Sequence, residues 1–199
     1  PWLNPVAIAI LLVALLLRAT GTPYASYFSG AQFVHFLLGP ATVALAVPLW
    51  RHRATVRRHA VPLAAALGVG SVTAVVSAVA LARLVDLPAQ AVASLAPKSV
   101  TAAVAMGLSQ DLGGEPALTA VMCIATGILG AVVVTPLMNA LRIRNYAARG
   151  FAVGLAAHGI GTARAFAVDP VAGAFAGIAM ALNAVATALI LPVLMRWLG

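Results

Sequence analysis

The stretch "SLAPKSVTAAVA", residues 94–105, places a proline and a lysine in the middle of an apolar segment. Pro97 suits the first position of a helix, because its ring fixes a helical φ and no N–H is needed there. Lys98, Ser99 and Thr101 would then lie on the opening turn, where free backbone N–H groups attract an anion. The ammonium group would add a full positive charge. The stretch therefore predicts a helix break that faces an anion.

The chain around this stretch is too apolar for a water-soluble fold. Of its 199 residues, 63% are hydrophobic and only 8% are charged, whereas about a quarter are charged in a soluble domain. We therefore predict a multi-pass protein of the inner (plasma) membrane, with one membrane domain over 1–199. Because the sequence starts at Pro1, close to an apolar run, we expect N-terminal sequence to be missing. A single cysteine, Cys123, excludes a cysteine-rich metal site, and no metal or cofactor is expected.

The predicted fold is an all-α polytopic membrane protein with about seven hydrophobic segments, at least one of them a broken or re-entrant helix. A spanning helix needs about 20 residues. The segments cover about 2–17, 31–50, 60–85, 89–109, 116–140, 147–168 and 170–198.

Two arginine-rich loops indicate which segment is re-entrant. They are "RHRATVRRHA", residues 51–60, and "RIRNYAARG", residues 142–150. The positive-inside rule places both loops in the cytoplasm. If every segment crossed fully, the loops would lie on opposite sides. They lie on the same side if 89–109 enters the membrane and returns without crossing.

A weak internal repeat is a second pattern, with copies over about 31–110 and 118–199. The segment at 47–60 resembles that at 135–148, and "GVGS" at 68–71 resembles "GIGT" at 159–162. An odd number of crossings would invert the second copy, as in many transporters. Chance similarity among Ala-, Gly- and Val-rich helices is an equal alternative, and the orientation stays open.

Two cations are predicted at membrane depth, Lys98 and Arg164. All four acids fall at or near segment ends; they are Asp86, Asp111, Glu115 and Asp169. A buried charge costs at least ~2.5–3.5 kcal/mol on insertion scales, so such residues usually mark a function. The alternative is that each cation reaches the membrane–water interface or pairs with Asp111, Glu115 or Asp169.

The second cation lies in "HGIGTARA", residues 158–165. Gly159 is expected to break the helix and to expose backbone groups. His158 is a candidate proton carrier, because its charge changes near neutral pH; the alternative is a neutral histidine bonded to a carbonyl. Asn183 and Thr187 complete a polar lining or form an interhelical hydrogen bond. A Ser–Lys hydrolase built on Lys98 is disfavoured, since no oxyanion arrangement can be read, so we expect no enzyme.

Longer motifs carry a family resemblance. The segments "SLAPKSVTAAVAMGLSQDLGGEPALTAV", "LRIRNYAARGFAVGLAAHGIGTARA" and "GAFAGIAMALNAVATALILP" resemble the LrgB/CidB family of bacterial membrane proteins. Members usually carry another hydrophobic helix before the "NP" motif, and often a second proline where this chain has Ala102-Ala103. The residues that match family motifs and are assigned here to substrate binding are Lys98, Ser99, Thr101, His158, Gly161, Thr162, Arg164 and Asn183; Pro97 and Gly159 are assigned to helix breaks.

The resemblance implies two functions. One is a holin- or antiholin-like regulator of murein hydrolase export and cell lysis. The other is transport of small monocarboxylates, as in plant plastid glycolate/glycerate translocators and bacterial pyruvate uptake. A passive membrane lesion does not require two deep cations, whereas a carboxylate carrier does, so the residues favour transport. The expected partners are the carboxylate, a small LrgA/CidA-type membrane protein and a second copy in a homodimer; no nucleic acid is expected.

Overall fold

The computed structural model describes residues 5–37, 40, 43–44 and 46–198. The chain divides into two compact units, 1–44 and 45–199. The first unit contains α1 (Pro5–Thr20) and α2 (Tyr24–Phe36). The described helices of the second unit are α3 (Ala46–Arg51), α4 (Arg53–Arg58), α5 (Ala60–Leu84), α6 (Ala89–Leu95), α7 (Ala102–Asp111), α8 (Pro116–Ala140), α9 (Tyr146–Val168) and α10 (Pro170–Leu198).

The structure confirms an all-α polytopic membrane protein. Four of the described helices, α5, α8, α9 and α10, have the length and apolar composition of membrane spans, although α9 is folded back on itself and its two arms do not cross. The segment predicted at 31–50 coincides with the end of α2 and most of α3, and part of it lies outside the described residues.

In the predicted re-entrant segment, α6 and α7 form a hairpin, called hairpin 1 (residues 89–111). The helix ends at Leu95 and begins again at Ala102. The backbone N–H of Glu115, just after α7, donates to Ser94 Oγ at 2.7 Å, so the chain returns to the level at which it left α6. Ten residues of α7 extend only about 15 Å, half the hydrocarbon core. Hairpin 1 therefore enters and leaves at the same end of the fold.

The location of the break corrects one detail of the sequence analysis. Pro97 follows the end of α6 and does not begin the next helix; Thr101 is the N-cap residue of α7. The N–H of Lys98 donates to Leu95 O at 3.1 Å and that of Val100 to Pro97 O at 3.0 Å, so residues 96–100 turn instead of continuing a helix. A proline just after a helix end is favourable because it cannot extend the helix.

Helix α9 is also folded back on itself, as hairpin 2 (residues 146–168), which the sequence analysis did not predict. His158 has φ 40° and ψ −133°, outside the helical region. A Cβ on Gly161 would lie 3.0 Å from Val153 O, a contact that a straight helix cannot make eight residues apart. The non-helical residue directly precedes Gly159, the predicted break. Neither arm is long enough to span the core.

Close packing of the hairpin arms requires small residues. A Cβ on Gly150 would collide with Ala172 O of α10, and one on Gly154 would collide with Ala176 O. The first arm of hairpin 2 and α10 therefore run in the same direction with their backbones in contact. Transmembrane helices associate closely through such glycines, which here are four residues apart.

The two arginine-rich loops lie at the same end of the second unit, which we call the arginine end. One groove is lined both by His59, in the first loop, and by Asn145 and Ala147, in the second. Hairpin 2 opens to this end. Hairpin 1 opens to the opposite end, where Val92 of α6 belongs to the same packed cluster as Ala82 of α5.

At the predicted offset of about 90 residues, matched segments of the two copies fall in different kinds of structural element. The "GVGS" segment, 68–71, lies in the uninterrupted helix α5, whereas "GIGT", 159–162, follows the break of hairpin 2. The architecture instead repeats a long helix followed by a hairpin. The helices α5 and α8 begin at 60 and 116, and the hairpins begin at 89 and 146. Because α5 and α8 run in opposite directions, the second pair is inverted relative to the first.

This topology predicts a labelling pattern for single cysteines in intact cells. The arginine end should be cytoplasmic, so Ala54→Cys and Arg144→Cys should both resist an impermeant thiol reagent applied from outside. Leu87→Cys, on the exposed turn after α5, should be labelled, and all three should react after permeabilisation. The native Cys123 is fully buried and provides little background. Labelling of Ala54→Cys but not Arg144→Cys, or the reverse, would contradict the hairpin topology.

Candidate anion site

The tips of the two hairpins meet beside α8. The Nε2 of His158 lies 2.9 Å from the backbone carbonyl oxygen of Cys123. Val100 and Ala105, from the tip of hairpin 1, pack against the same Cys123. Since the hairpins enter from opposite ends, their tips and the irregular backbone lie within the spanning part of the fold. Irregular backbone at this depth persists only when it is buried in protein or lines a wet cavity.

Lys98 brings a charge to this meeting point. Its Nζ lies 3.4 Å from Ser99 Oγ, and the residue is half-buried. Within the described ranges it forms no ion pair. Glu115 instead accepts a hydrogen bond from Ala117 N at the start of α8, and Asp169 accepts from Val171 N at the start of α10. These two carboxylates therefore cap helices, and the ammonium group is left for another anion.

Thr101 supplies a second unsatisfied group. As the N-cap residue of α7 it makes no side-chain cap bond. Its Oγ1 is buried and has no hydrogen-bond partner among the described residues. A buried hydroxyl without a partner is unfavourable by about 1–3 kcal/mol, unless a ligand satisfies it. The first turns of α7 and of the second arm of hairpin 2 both start at the tips, where backbone N–H groups favour an anion.

His158 is held by one ring nitrogen and leaves the other available. A carbonyl oxygen only accepts, so Nε2 carries the hydrogen that is donated to Cys123 O. Nδ1 has no hydrogen-bond partner in the described part of the chain, and is the atom that can take up a proton. Thr162 Oγ1 donates to His158 O at 2.8 Å and supports the break. Gly161 lies between the two arms, so its role is to let hairpin 2 close.

Asn183 forms an interhelical hydrogen bond, which was one of its two predicted roles, and it also joins the two breaks. Its Nδ2 donates to Ser99 O at 3.2 Å and to Leu155 O at 3.1 Å. Its Oδ1 accepts from Ser71 Oγ at 2.7 Å and Thr187 Oγ1 at 3.2 Å. All hydrogen-bonding positions of the amide are used inside the protein. Asn183 is therefore a positioning residue for the two hairpin tips.

Arg164 lies apart from this group. It lines a small cavity at the mouth of hairpin 2 together with Tyr146, Arg149 and Thr135, and Lys98 does not line that cavity. The Nε of Arg164 is buried, and it has no hydrogen-bond partner in the part of the chain that the structure describes. The structure thus brings together Lys98, Ser99, Thr101 and His158. It places Arg164, the second predicted cation, closer to the arginine end.

Two contributors were missed by the sequence analysis. The backbone carbonyl of Cys123 carries no signal in the sequence, because any residue supplies a carbonyl. Ser71 was noticed only as part of the repeat, although a fully buried serine in the apolar helix α5 signals an interhelical hydrogen bond.

Comparison with known proteins gives matches over nearly the whole chain. A family model described as the LrgB-like family matches residues 1–197. The uncharacterized protein YwbG of Bacillus subtilis (strain 168) is 35% identical, over 98% of this chain and 87% of the relative. The holin-like protein CidB of Staphylococcus aureus (strain Mu50 / ATCC 700699) is 31% identical, over 98% of this chain and 85% of the relative. No solved structure matches significantly.

The role of Asn183 predicts that substitution of a buried polar residue in its network destabilises the protein more than substitution of an exposed one. Asn183→Ala removes four hydrogen bonds and Ser71→Ala removes one, and each buried group left unpaired costs about 1–3 kcal/mol. Both variants should unfold at lower temperature in detergent, Asn183→Ala by more. Ser77→Ala is the matched control: it lies in the same helix as Ser71 but is exposed and bonded only to Ala74 O, so its effect should stay within about 0.5 kcal/mol. Equal stability of Asn183→Ala and Ser77→Ala would contradict this role.

Proposed function

This chain belongs to the LrgB-like family, and we propose that it transports small monocarboxylate anions of the pyruvate, glycolate or glycerate type. The observation that carries the proposal is that Lys98, whose ammonium group has no ion pair in the described ranges, and Thr101, whose hydroxyl is unsatisfied there, both lie at the break of hairpin 1, where it meets the break of hairpin 2. A carboxylate supplies what both groups lack: a negative charge and acceptor oxygens.

Electrostatics supports an anion as the occupant of the site. A cation at membrane depth is unfavourable by at least ~2.5–3.5 kcal/mol on insertion scales. A bound carboxylate neutralises that charge, and the first turn of α7 adds further N–H groups. A small acid with a polar carbon next to the carboxylate suits these donors better than a fatty acid.

The hairpins support a carrier mechanism. Hairpin 1 opens to one end of the fold and hairpin 2 to the other, and their tips meet at the same point of α8. Transporters built on inverted units bind substrate where the units meet, at discontinuous helices. Movement of one hairpin relative to the other would expose Lys98 first to one side and then to the other. Asn183 limits that movement, because it is bonded to both hairpins.

The alternative is a holin-like regulator of murein hydrolase export and cell lysis. The observation that favours it is the name of several relatives, which are described as holin-like protein CidB. A lesion-forming protein must associate and disrupt the membrane. Neither step requires a cation such as Lys98, which forms no ion pair within the described ranges. Uptake by proteoliposomes separates the two functions: a carrier shows saturable, competitive uptake of pyruvate, glycolate or glycerate and excludes a neutral solute of similar size.

Substitution of the cations tests the site. Lys98→Ala should abolish binding and uptake, because loss of a buried charged hydrogen-bonding partner costs about 2–5 kcal/mol, or roughly 30-fold to several-thousand-fold in affinity. Arg164→Ala should also abolish uptake, although it lies outside the site, because it removes the second deep cation, which lines the cavity at the mouth of hairpin 2. Arg51→Ala, exposed at the end of α3, is the control and should change uptake little. Equal behaviour of all three variants would refute the site assignment.

The free Nδ1 of His158 predicts proton-coupled uptake. Protonation of His158 adds a positive charge near the bound carboxylate. Entry of one proton with one anion moves no net charge across the membrane. Entry of the anion alone is opposed by the membrane potential, which costs about 2.3 kcal/mol per 100 mV. Uptake should rise as external pH falls, because a lower pH favours the protonated imidazole, and His158→Gln should flatten this response while retaining exchange. His52→Gln, in the loop between α3 and α4, is the control. An unchanged pH profile in His158→Gln with intact uptake would leave His158 a structural residue.

A further inference from the structure

A groove at the arginine end is not used by the proposed transport site. It runs between α5, the first arm of hairpin 2 and α10, and its lining residues include Leu63, Ala66, Phe151, Leu155 and Phe175. From Pro62 to Gly70 it follows α5 for about 12 Å, which is eight residues of helical rise. The side chain of Leu155 touches the position of a Cβ on Gly70 and closes the inner end. The walls are apolar, so they suit a hydrocarbon chain and not a small carboxylate.

The mouth of this groove is strongly basic. Arg58 directly precedes His59, Arg144 directly precedes Asn145, and both arginines are exposed. Further exposed arginines at this end are Arg51, Arg53, Arg57 and Arg142. Across the described ranges, none of these six side chains forms an ion pair. Six uncompensated guanidinium groups attract an anion that stays at the membrane surface.

Aromatic residues mark the depth of the groove's mouth. Trp50 is 70% exposed and Tyr146 is 43% exposed. The guanidinium of Arg53 lies 4.7 Å from the centre of the Trp50 ring. Tryptophan and tyrosine concentrate at the level of lipid headgroups. The arginines therefore lie at that level, and the apolar groove continues from them toward the hydrocarbon core.

We propose that this groove binds one anionic phospholipid. Arg58 and Arg144 hold the phosphate, and one acyl chain lies along Leu63 and Ala66 as far as Gly70. A guanidinium group matches phosphate oxygens in charge and in geometry. The basic mouth selects for negative headgroups. The apolar groove accommodates an acyl chain, which general adsorption of the protein to an anionic surface would not require. This inference does not depend on the transported substrate.

Thermal unfolding of the purified protein in detergent tests the headgroup. Phosphatidylglycerol should raise the apparent Tm by about 5–10 °C at saturation, and phosphatidylcholine with the same acyl chains should raise it much less. The double variant Arg58→Gln/Arg144→Gln should lose the difference between the two lipids. The matched control Arg83→Gln/Arg196→Gln removes two exposed arginines outside the groove, at the ends of α5 and α10, and should retain it.

A second pair of variants tests the acyl-chain groove. Ala66→Phe fills the groove from an exposed position and should remove the phosphatidylglycerol effect with all arginines present. Val69→Phe, exposed on the same helix but outside the groove, should leave it intact. Equal stabilisation by both lipids, or loss of the effect in the Arg83/Arg196 control, would overturn the proposal. A phosphatidylglycerol-induced rise in Tm that is unchanged in Ala66→Phe would also overturn the proposal. So would a protein that shows no lipid effect and that Ala66→Phe converts from a dimer to a monomer, because that result would assign the groove to a second copy of the chain.

Discussion

The carboxamide of Asn183 supports irregular backbone in a place where no bulk water can do so. An unpaired backbone carbonyl in hydrocarbon is unfavourable by several kcal/mol, so a break in a membrane helix requires a protein donor. Asn183 donates to Ser99 O at one break and to Leu155 O near the other. Its own oxygen is bonded to Ser71 of α5 and to Thr187 of α10. One buried side chain therefore couples both hairpins to two neighbouring helices.

The hairpins also depend on small residues at their contacts. In a bilayer there is little hydrophobic force between helices, so association relies on close packing and hydrogen bonds. Gly150 and Gly154 let hairpin 2 contact the backbone of α10, and Gly161 lets its two arms close. Gly114 has a similar role at hairpin 1, where a Cβ would lie 2.9 Å from Ser94 N. Larger side chains at these positions would push the tips apart and change the anion site between them.

Charge is divided among three tasks in this fold. Glu115 and Asp169 cap the starts of α8 and α10. Six of the exposed arginines in the described ranges gather at one end, where we expect them to set the orientation and, in our proposal, to hold a lipid headgroup. Lys98 stands apart from both groups, and the unpartnered Thr101 hydroxyl lies three residues from it. A cation that is costly to bury, and that forms no ion pair among the described residues, is the strongest indication of a ligand in this molecule.

The sequence alone determined the membrane class, the helical fold, the break near Pro97 and the re-entrant path of residues 89–109. These follow from local properties: hydropathy reports the environment of each segment, proline disrupts a helix where it stands, and arginines stay on one side of a membrane. The fold-back at His158, the linking role of Asn183 and the separation of Lys98 from Arg164 were decided by tertiary structure. Ser71 and Asn183 are 112 residues apart, and the acceptor for His158 is a backbone carbonyl that any residue would provide. Such contacts leave no pattern within a local stretch of sequence, because they exist only when distant segments pack together.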